Sequence, residues 1–200
     1  MTRTELLGQA ELGTRLRDAV CSMILNQWEL AALDVGERTV TSHLFRHMAV
    51  RFDDSGFDVD HEYNRRRDRP KTVDRRGCDE LGERRVFPDL IVHRRSRDDS
   101  NLVVIEAKKG ACTDDNDEDK VQKLLSQHQY RYEWGVLLAL GMTVPQENGE
   151  VSEVGPYRAW APSWQWLKLD AASVEVESEP HDRMFDGDEL DHLNEEGWQR

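Results

Sequence analysis

The chain has 200 residues, of which 38% are hydrophobic and 34% charged, and its formal net charge is −13. This size and composition predict one globular domain with a highly polar surface. No apolar run approaches the ~20 residues that span a bilayer, and no signal-peptide pattern opens the chain, so a cytoplasmic protein without a membrane segment is expected.

Two helices are predicted at the start of the chain. Apolar residues recur near the 3.6-residue period over about residues 4–33. Asp34, followed three residues later by Glu37, has the spacing of a capping box, which predicts the start of a second helix. A capping box would give Glu37 a complete structural role at the helix N-terminus.

Three strands are predicted in the middle of the chain. The alternating stretch "FDVDHEYNR" is typical of a strand, whereas the polar residues 65–85 predict a long exposed loop. The apolar runs "VFPDLIVH" and "NLVVIEAKK" follow, separated by the short segment "RRSRDDS". This spacing predicts an antiparallel hairpin.

The second half of the chain alternates between helix and strand patterns. An acidic linker, "CTDDNDED", precedes a predicted helix in "DKVQKLLSQHQ" and a buried strand in "YEWGVLLALG". Edge strands are predicted in "YRAWAPSWQWLKL" and "ASVEVES". The element order predicts an α/β domain with a mixed sheet over residues 1–178, and the acidic residues 179–200 predict a loosely held C-terminal tail.

Charged residues stand inside the two strands of the predicted hairpin. Alternation places Leu102, Val104, Glu106 and Lys108 on one face of their strand. Hairpin pairing then brings Asp89 beside Glu106 and Lys108. Two carboxylates suit Mg²⁺, which prefers oxygen ligands and keeps several waters, and a neighbouring lysine suits a water or a phosphate.

A structural interpretation competes with this chemical one. Asp89 and Lys108 also fit a cross-strand ion pair, worth about 0.2–1 kcal/mol if exposed. Glu106 would then be a third, uncompensated charge on an apolar strand, which is costly. Glu62 is an alternative acid for the site, although glutamate is usually a solvated surface residue.

Pro88-Asp89, sixteen intervening residues and then Glu106-Ala107-Lys108 resemble the PD-(D/E)xK signature of the nuclease superfamily with restriction endonuclease-like folds. The resemblance covers about residues 34–142, and its flanks agree: a helix before, and a helix then a strand after. The stretch is also similar to small prokaryotic members of that superfamily.

The resemblance implies an αβ sandwich with a mixed central sheet flanked by helices. It also implies a Mg²⁺- or Mn²⁺-dependent nuclease, in which Asp89 and Glu106 bind the metal and Lys108 assists phosphodiester hydrolysis. Glu37 stands where many members carry a further metal ligand. DNA is the expected substrate, and an endonuclease that cuts both strands would act as a homodimer.

Charge and aromatic patterns leave an alternative open. Residues 61–97 carry twelve basic and seven acidic residues, which favours a DNA-contacting edge, and Trp160, Trp164 and Trp166 suit either base stacking or a core. The acidic balance of the whole chain, however, argues against general nucleic-acid affinity. The alternative is a non-catalytic module with the nuclease fold that binds nucleic acid or protein.

Overall fold

The structure is a computed structural model that describes residues 7–63, 65–66, 69–70, 72–74, 83–95, 101–127, 129–142, 160–169, 176–179 and 182–185. Four helices lie in these residues: α1 (Gln9–Gln27), α2 (Glu29–Ala32), α3 (Glu37–Phe52) and α4 (Asp115–Ser126). None of the helices in the described part of the chain is long and apolar enough to cross a membrane.

The strands form one large sheet and two small ones. They are β1 (Asp58–His61), β2 (Arg65–Arg66), β3 (Arg69–Pro70), β4 (Thr72–Asp74), β5 (Glu83–Arg85), β6 (Leu90–His93), β7 (Asn101–Lys108), β8 (Tyr132–Ala139), β9 (Ser163–Leu169), β10 (Val176–Ser178) and β11 (Asp182–Arg183). The seven-stranded sheet has the order β1-β6-β7-β8-β9-β10, and β11 also pairs with β9. Only the β7–β8 pair is parallel in this sheet, so the sheet is mixed.

Helices cover both faces of this sheet in the described part of the chain. The alternating residues Val103, Ile105 and Ala107 of β7 face a core that includes α1 and α3. Val104 faces the opposite side, where Val121 and the apolar residues after it belong to α4. The α/β class and the mixed sheet flanked by helices are therefore confirmed.

A glycine allows α4 to lie close to the sheet. Helix α4 is the crossover between the parallel strands β7 and β8. A Cβ atom built on Gly135 of β8 would clash with Val121 and lie 2.9 Å from Leu125 Cδ1. The absence of a side chain at this position thus sets the height of α4 above the sheet.

The start of α3 differs from its prediction. Glu37 is the first residue of α3, the N-cap is Gly36, and no side chain caps the helix. Asp34 has a positive φ of 45° and lies before the cap. The predicted capping box between Asp34 and Glu37 is therefore wrong, and the predicted first helix is interrupted at Trp28.

Two other predicted segments differ from the structure. The predicted loop over residues 65–85 contains two short antiparallel strand pairs, β2–β3 and β4–β5. Strand β9 pairs on both sides, so it is not an edge strand.

The predicted tail also contains ordered residues. Strand β11 pairs with β9, and Met184 and Phe185 are buried, so loose attachment does not describe residues 182–185. Residues 186–200 lie outside the described part, and the division into a domain and a tail stays a prediction.

Glycine substitutions test this packing. We expect Gly135→Ala to lower stability by about 1–3 kcal/mol, because a methyl group has no room between β8 and α4. Thermal unfolding monitored by circular dichroism measures this loss.

Gly13 provides the matched control. A Cβ atom at Gly13, inside α1, would make ordinary contacts of 3.5 and 3.6 Å with the rings of Trp164 and Trp166. Gly13→Ala should therefore stabilise the protein by roughly 0.5–1 kcal/mol, as alanine favours helix. Equal effects of the two substitutions would contradict the proposed packing.

Candidate active site

The hairpin brings the predicted residues together at one end of the sheet. Leu90 lies opposite Ile105 in the antiparallel register of β6 and β7, so the preceding Asp89 lies beside Glu106. Asp89 Oδ2 accepts a hydrogen bond of 2.9 Å from the backbone N–H of Ala107. Asp89 is thereby held against β7 by the backbone.

Glu106 is a buried carboxyl group with one partnered and one unpartnered oxygen. Its residue is only 2% exposed. Lys120 Nζ, from α4, lies 2.6 Å from Oε2, whereas Oε1 is buried without a hydrogen-bond partner. Burial, reinforced by the negative charge of Asp89 and opposed by Lys120, raises the pKa of Glu106 to about 8.

Lys108 lies between two carboxylates. Its Nζ is 3.4 Å from Glu37 Oε1 and 3.4 Å from Asp117 Oδ2. Burial opposes the charged form of Lys108, but Asp117 and Glu37 outweigh it, so the pKa of Lys108 is raised. The Lys108 ammonium group is thus held between these two carboxylates.

Glu37 reaches the same end of β7 from the first turn of α3. Besides Lys108, it contacts the backbone N–H of Lys109 through Oε2, at 3.3 Å. The Lys109 ammonium in turn pairs with Asp34 and lies 3.4 Å from the Val35 carbonyl oxygen. Since the capping box is absent, the carboxylate of Glu37 is directed to the site.

Two further charged residues of the site were missed in the sequence. Asp117 and Lys120 both come from α4 and contact Lys108 and Glu106 respectively. Asp117 precedes the buried Val121 by four residues, and Lys120 precedes the buried Leu124 by four. That helical spacing directs both side chains toward the sheet. It is the feature of the sequence from which Asp117 and Lys120 could have been predicted as site residues.

Four other candidates have structural roles among the described residues. Glu62 pairs with Arg38, with Oε1 2.6 Å from Nε. The side chains of Trp160 and Trp166 are buried, at 1% and 5% exposure, which supports the core interpretation. Trp164 packs edge-on against Trp166 at a centroid separation of 5.5 Å.

The donor set fits a divalent cation. Four carboxylates and two lysine ammonium groups lie at this end of β7. Glu37, Asp117 and Glu106 contact Lys108 or Lys120, and Asp89 lies beside Glu106. Two negative charges are therefore uncompensated when all six groups are ionised, and the unpartnered Glu106 Oε1 lacks the positive partner that a buried carboxylate requires.

This donor set does not enclose a cation by itself. Among the described residues, no group of three or more His, Cys, Asp or Glu side chains is placed to hold a metal ion. Asp89 and Glu106 would therefore act as a pair, with water completing the coordination shell, as is usual for Mg²⁺.

Comparison with known proteins found no match for this chain among protein-family models, curated proteins or solved structures. The site is accordingly interpreted from its own geometry and from the signature described above.

Replacement of Glu106 by glutamine tests the burial of its charge. The folded-state pKa of about 8 exceeds the ordinary value of 4.5, so the metal-free protein loses stability as pH rises from about 4.5 to about 8. Glutamine cannot ionise, and its amide oxygen still accepts from Lys120. We expect Glu106→Gln to stabilise the chelator-treated protein by at least about 1 kcal/mol at pH 8, or about 2–4 °C in Tm, and by less at pH 5.

The control is Glu29→Gln, at an exposed helical position. Thermal unfolding of the three proteins from pH 5 to pH 9 provides the measurement. A stability difference between Glu106→Gln and wild type that does not grow with pH would show that Glu106 carries no buried-charge penalty.

Proposed function

We propose that the chain is a Mg²⁺- or Mn²⁺-dependent nuclease that hydrolyses phosphodiester bonds in DNA. The observation that carries this proposal is Glu106, a buried carboxyl group that lies beside Asp89 with one oxygen unpartnered. A structural ion pair would satisfy both oxygens or expose them to water. A bound divalent cation accounts for the unpartnered oxygen and for the proximity of two acids.

The chain order of the elements supports a restriction endonuclease-like fold. Helix α3 precedes the antiparallel strands β1, β6 and β7, and α4 then leads into β8, which is parallel to β7. This is the arrangement that the signature implies: a helix before the charged hairpin, and a helix then a strand after it.

Each residue of the site has a distinct task in this proposal. A divalent cation, when bound, supplies Lewis acidity at the phosphate and lowers the pKa of a water molecule. Asp89 and Glu106 would hold the cation. Glu37, which contacts Lys108 and the Lys109 N–H, would become a further ligand by leaving these contacts.

Lys108 acts on the phosphate and on the attacking water. Asp117 and Glu37 raise its pKa, and its ammonium group stabilises the negative charge that develops on the phosphate in the transition state. It also orients the attacking water. The reaction forms a bond from the water oxygen to phosphorus and breaks the bond to the leaving 3′ oxygen, and the proton that the water loses balances the proton that the 3′ oxygen gains.

DNA is proposed as the substrate because basic residues lie on both sides of Asp89 in the sequence. The basic stretch 61–97 contains Asp89, β6 and the short strands β2–β5. Arginine is suited to bidentate contacts with phosphate oxygens. Cleavage of both strands of a duplex would require two sites, and for that reason we propose a homodimer as the form that cuts duplex DNA.

Cleavage assays with single substitutions test the proposed activity. Asp89→Asn keeps an acceptor for the backbone of Ala107 but removes a charged ligand, and Lys108→Ala removes the ammonium group. We expect each to lower Mg²⁺-dependent cleavage of plasmid, single-stranded or branched DNA by at least about 10²-fold, the usual effect of losing a transition-state stabiliser.

Lys123→Ala is the control for these assays, since Lys123 pairs with Asp119 within α4. Equal cleavage by the wild type and both site variants would indicate a contaminating nuclease. Specific DNA binding without cleavage would instead favour the non-catalytic module.

Binding of the cation is expected to stabilise the fold. A ligand that binds only the folded state adds about 2.7 kcal/mol at one hundred times its Kd. Mn²⁺ should therefore raise the Tm of the wild type by several degrees and leave the Tm of Asp89→Asn nearly unchanged. Differential scanning fluorimetry over a Mn²⁺ titration measures this, and an equal rise in both proteins would place the cation elsewhere.

A further inference from the structure

Helix α4 presents two charges to the end of β7 in a complementary arrangement. On β7, Glu106 and Lys108 are two residues apart and lie on the same face. On α4, Asp117 and Lys120 are three residues apart, a spacing that places side chains on one side of a helix. Each contacts the residue of opposite charge on β7: Asp117 contacts Lys108, and Lys120 contacts Glu106.

We propose that α4 is the positioning element of the site: Lys120 fixes the Glu106 carboxylate for the cation, and Asp117 fixes the Lys108 ammonium for the phosphate. This inference rests on the proposed nuclease function and extends it to two residues that do not belong to the signature.

Lys120 links Glu106 to the segment that precedes Asp89. Its Nζ lies 2.6 Å from Glu106 Oε2 and 2.7 Å from the carbonyl oxygen of Phe87. Phe87 lies two residues before Asp89. The Lys120 ammonium group therefore connects α4 both to Glu106 and to the backbone that precedes Asp89. With Oε2 occupied, Oε1 is the oxygen left for a cation.

One oxygen of Asp117 makes two contacts. Its Oδ2 accepts from the backbone N–H of Asp114 at 3.3 Å in the capping box that starts α4. The same oxygen lies 3.4 Å from Lys108 Nζ. Asp117 is only 8% exposed, and it gives Lys108 an acceptor that is separate from Glu37.

A second charge pair on the same helix provides an internal control. Lys123 and Asp119 pair with each other at i, i+4. Their positions lie three residues beyond Lys120 and two beyond Asp117. Substitutions there change the charge of α4 in the same way, but they act on a pair that lies within the helix.

Lys120 is tested by metal affinity in the absence of DNA. Isothermal titration calorimetry with Mn²⁺ is carried out on the wild type, Lys120→Met, Lys120→Arg and the control Lys123→Met. We expect Lys120→Met to weaken binding by about 10–100-fold, the usual effect of removing a residue that orients a metal ligand. Lys120→Arg should recover most of that affinity, and Lys123→Met should bind as the wild type does.

The outcomes separate the two proposals. Wild-type binding with unchanged affinity in Lys120→Met overturns the positioning role and leaves the nuclease proposal intact. A wild-type chain that binds no Mn²⁺ overturns both. Equal loss in Lys120→Met and Lys123→Met shows a general effect of charge on α4, which also overturns the inference.

Asp117 is tested by a different readout. Asp117→Asn keeps an acceptor for the cap and removes the charge that faces Lys108. We expect Mn²⁺ affinity within about threefold of wild type and a fall in kcat of at least about tenfold at unchanged KM, the pattern of an interaction needed in the transition state. Asp119→Asn is the control, and a kcat equal to wild type in Asp117→Asn would overturn the role of Asp117.

Discussion

The burial of Glu106 at the end of β7 is the constraint on which the site depends. A carboxyl group that is 2% exposed must be neutral, paired with a cation, or bound to a metal. In this fold the Glu106 carboxyl group is only partly satisfied, because Lys120 contacts one oxygen and the other has no hydrogen-bond partner. Its charged neighbours are Lys120 from α4 and Asp89, which lies just before β6.

Close packing of α4 makes this arrangement possible. Gly135 permits Val121 and Leu125 to rest on β8 without an intervening side chain. Since Asp117 and Lys120 each lie one helical turn before a buried apolar residue, the height of the helix determines whether they reach β7. Apolar packing on one side of the sheet therefore sets electrostatic distances at its end.

The sequence allowed the hairpin to be predicted, but not the network around it. Asp89, Glu106 and Lys108 could be predicted from the sequence. The two apolar strands and the short segment between them indicate a hairpin, and alternation indicates which side chains share a face of the sheet. The position of Glu37 at the site was indicated by the signature, while its local pattern suggested a capping box that the fold does not form. Asp34 adopts a left-handed conformation and pairs with Lys109, a tertiary contact that overrides the local capping preference.

Asp117 and Lys120 were harder to predict for a related reason. They lie in a run of mixed charges, "DNDEDK", where most side chains are solvated and only packing selects the two that face inward. Strands form in both predicted C-terminal stretches, but β9 is an inner strand, because pairing partners distant in sequence decide which strands lie at the edge of a sheet. Local patterns thus predict elements and faces, whereas long-range contacts decide which charges meet.

The acidic character of the chain acquires a specific meaning in this setting. A phosphate backbone approaching an uncompensated cluster of four carboxylates and two ammonium groups meets net repulsion, which the net charge of −13 increases. On the proposed function, a divalent cation held by Asp89 and Glu106 would offset the two excess negative charges of the fully ionised cluster. On the proposed function, cation binding therefore precedes productive DNA binding, and the same buried acid that destabilises the metal-free fold makes substrate binding conditional on the metal.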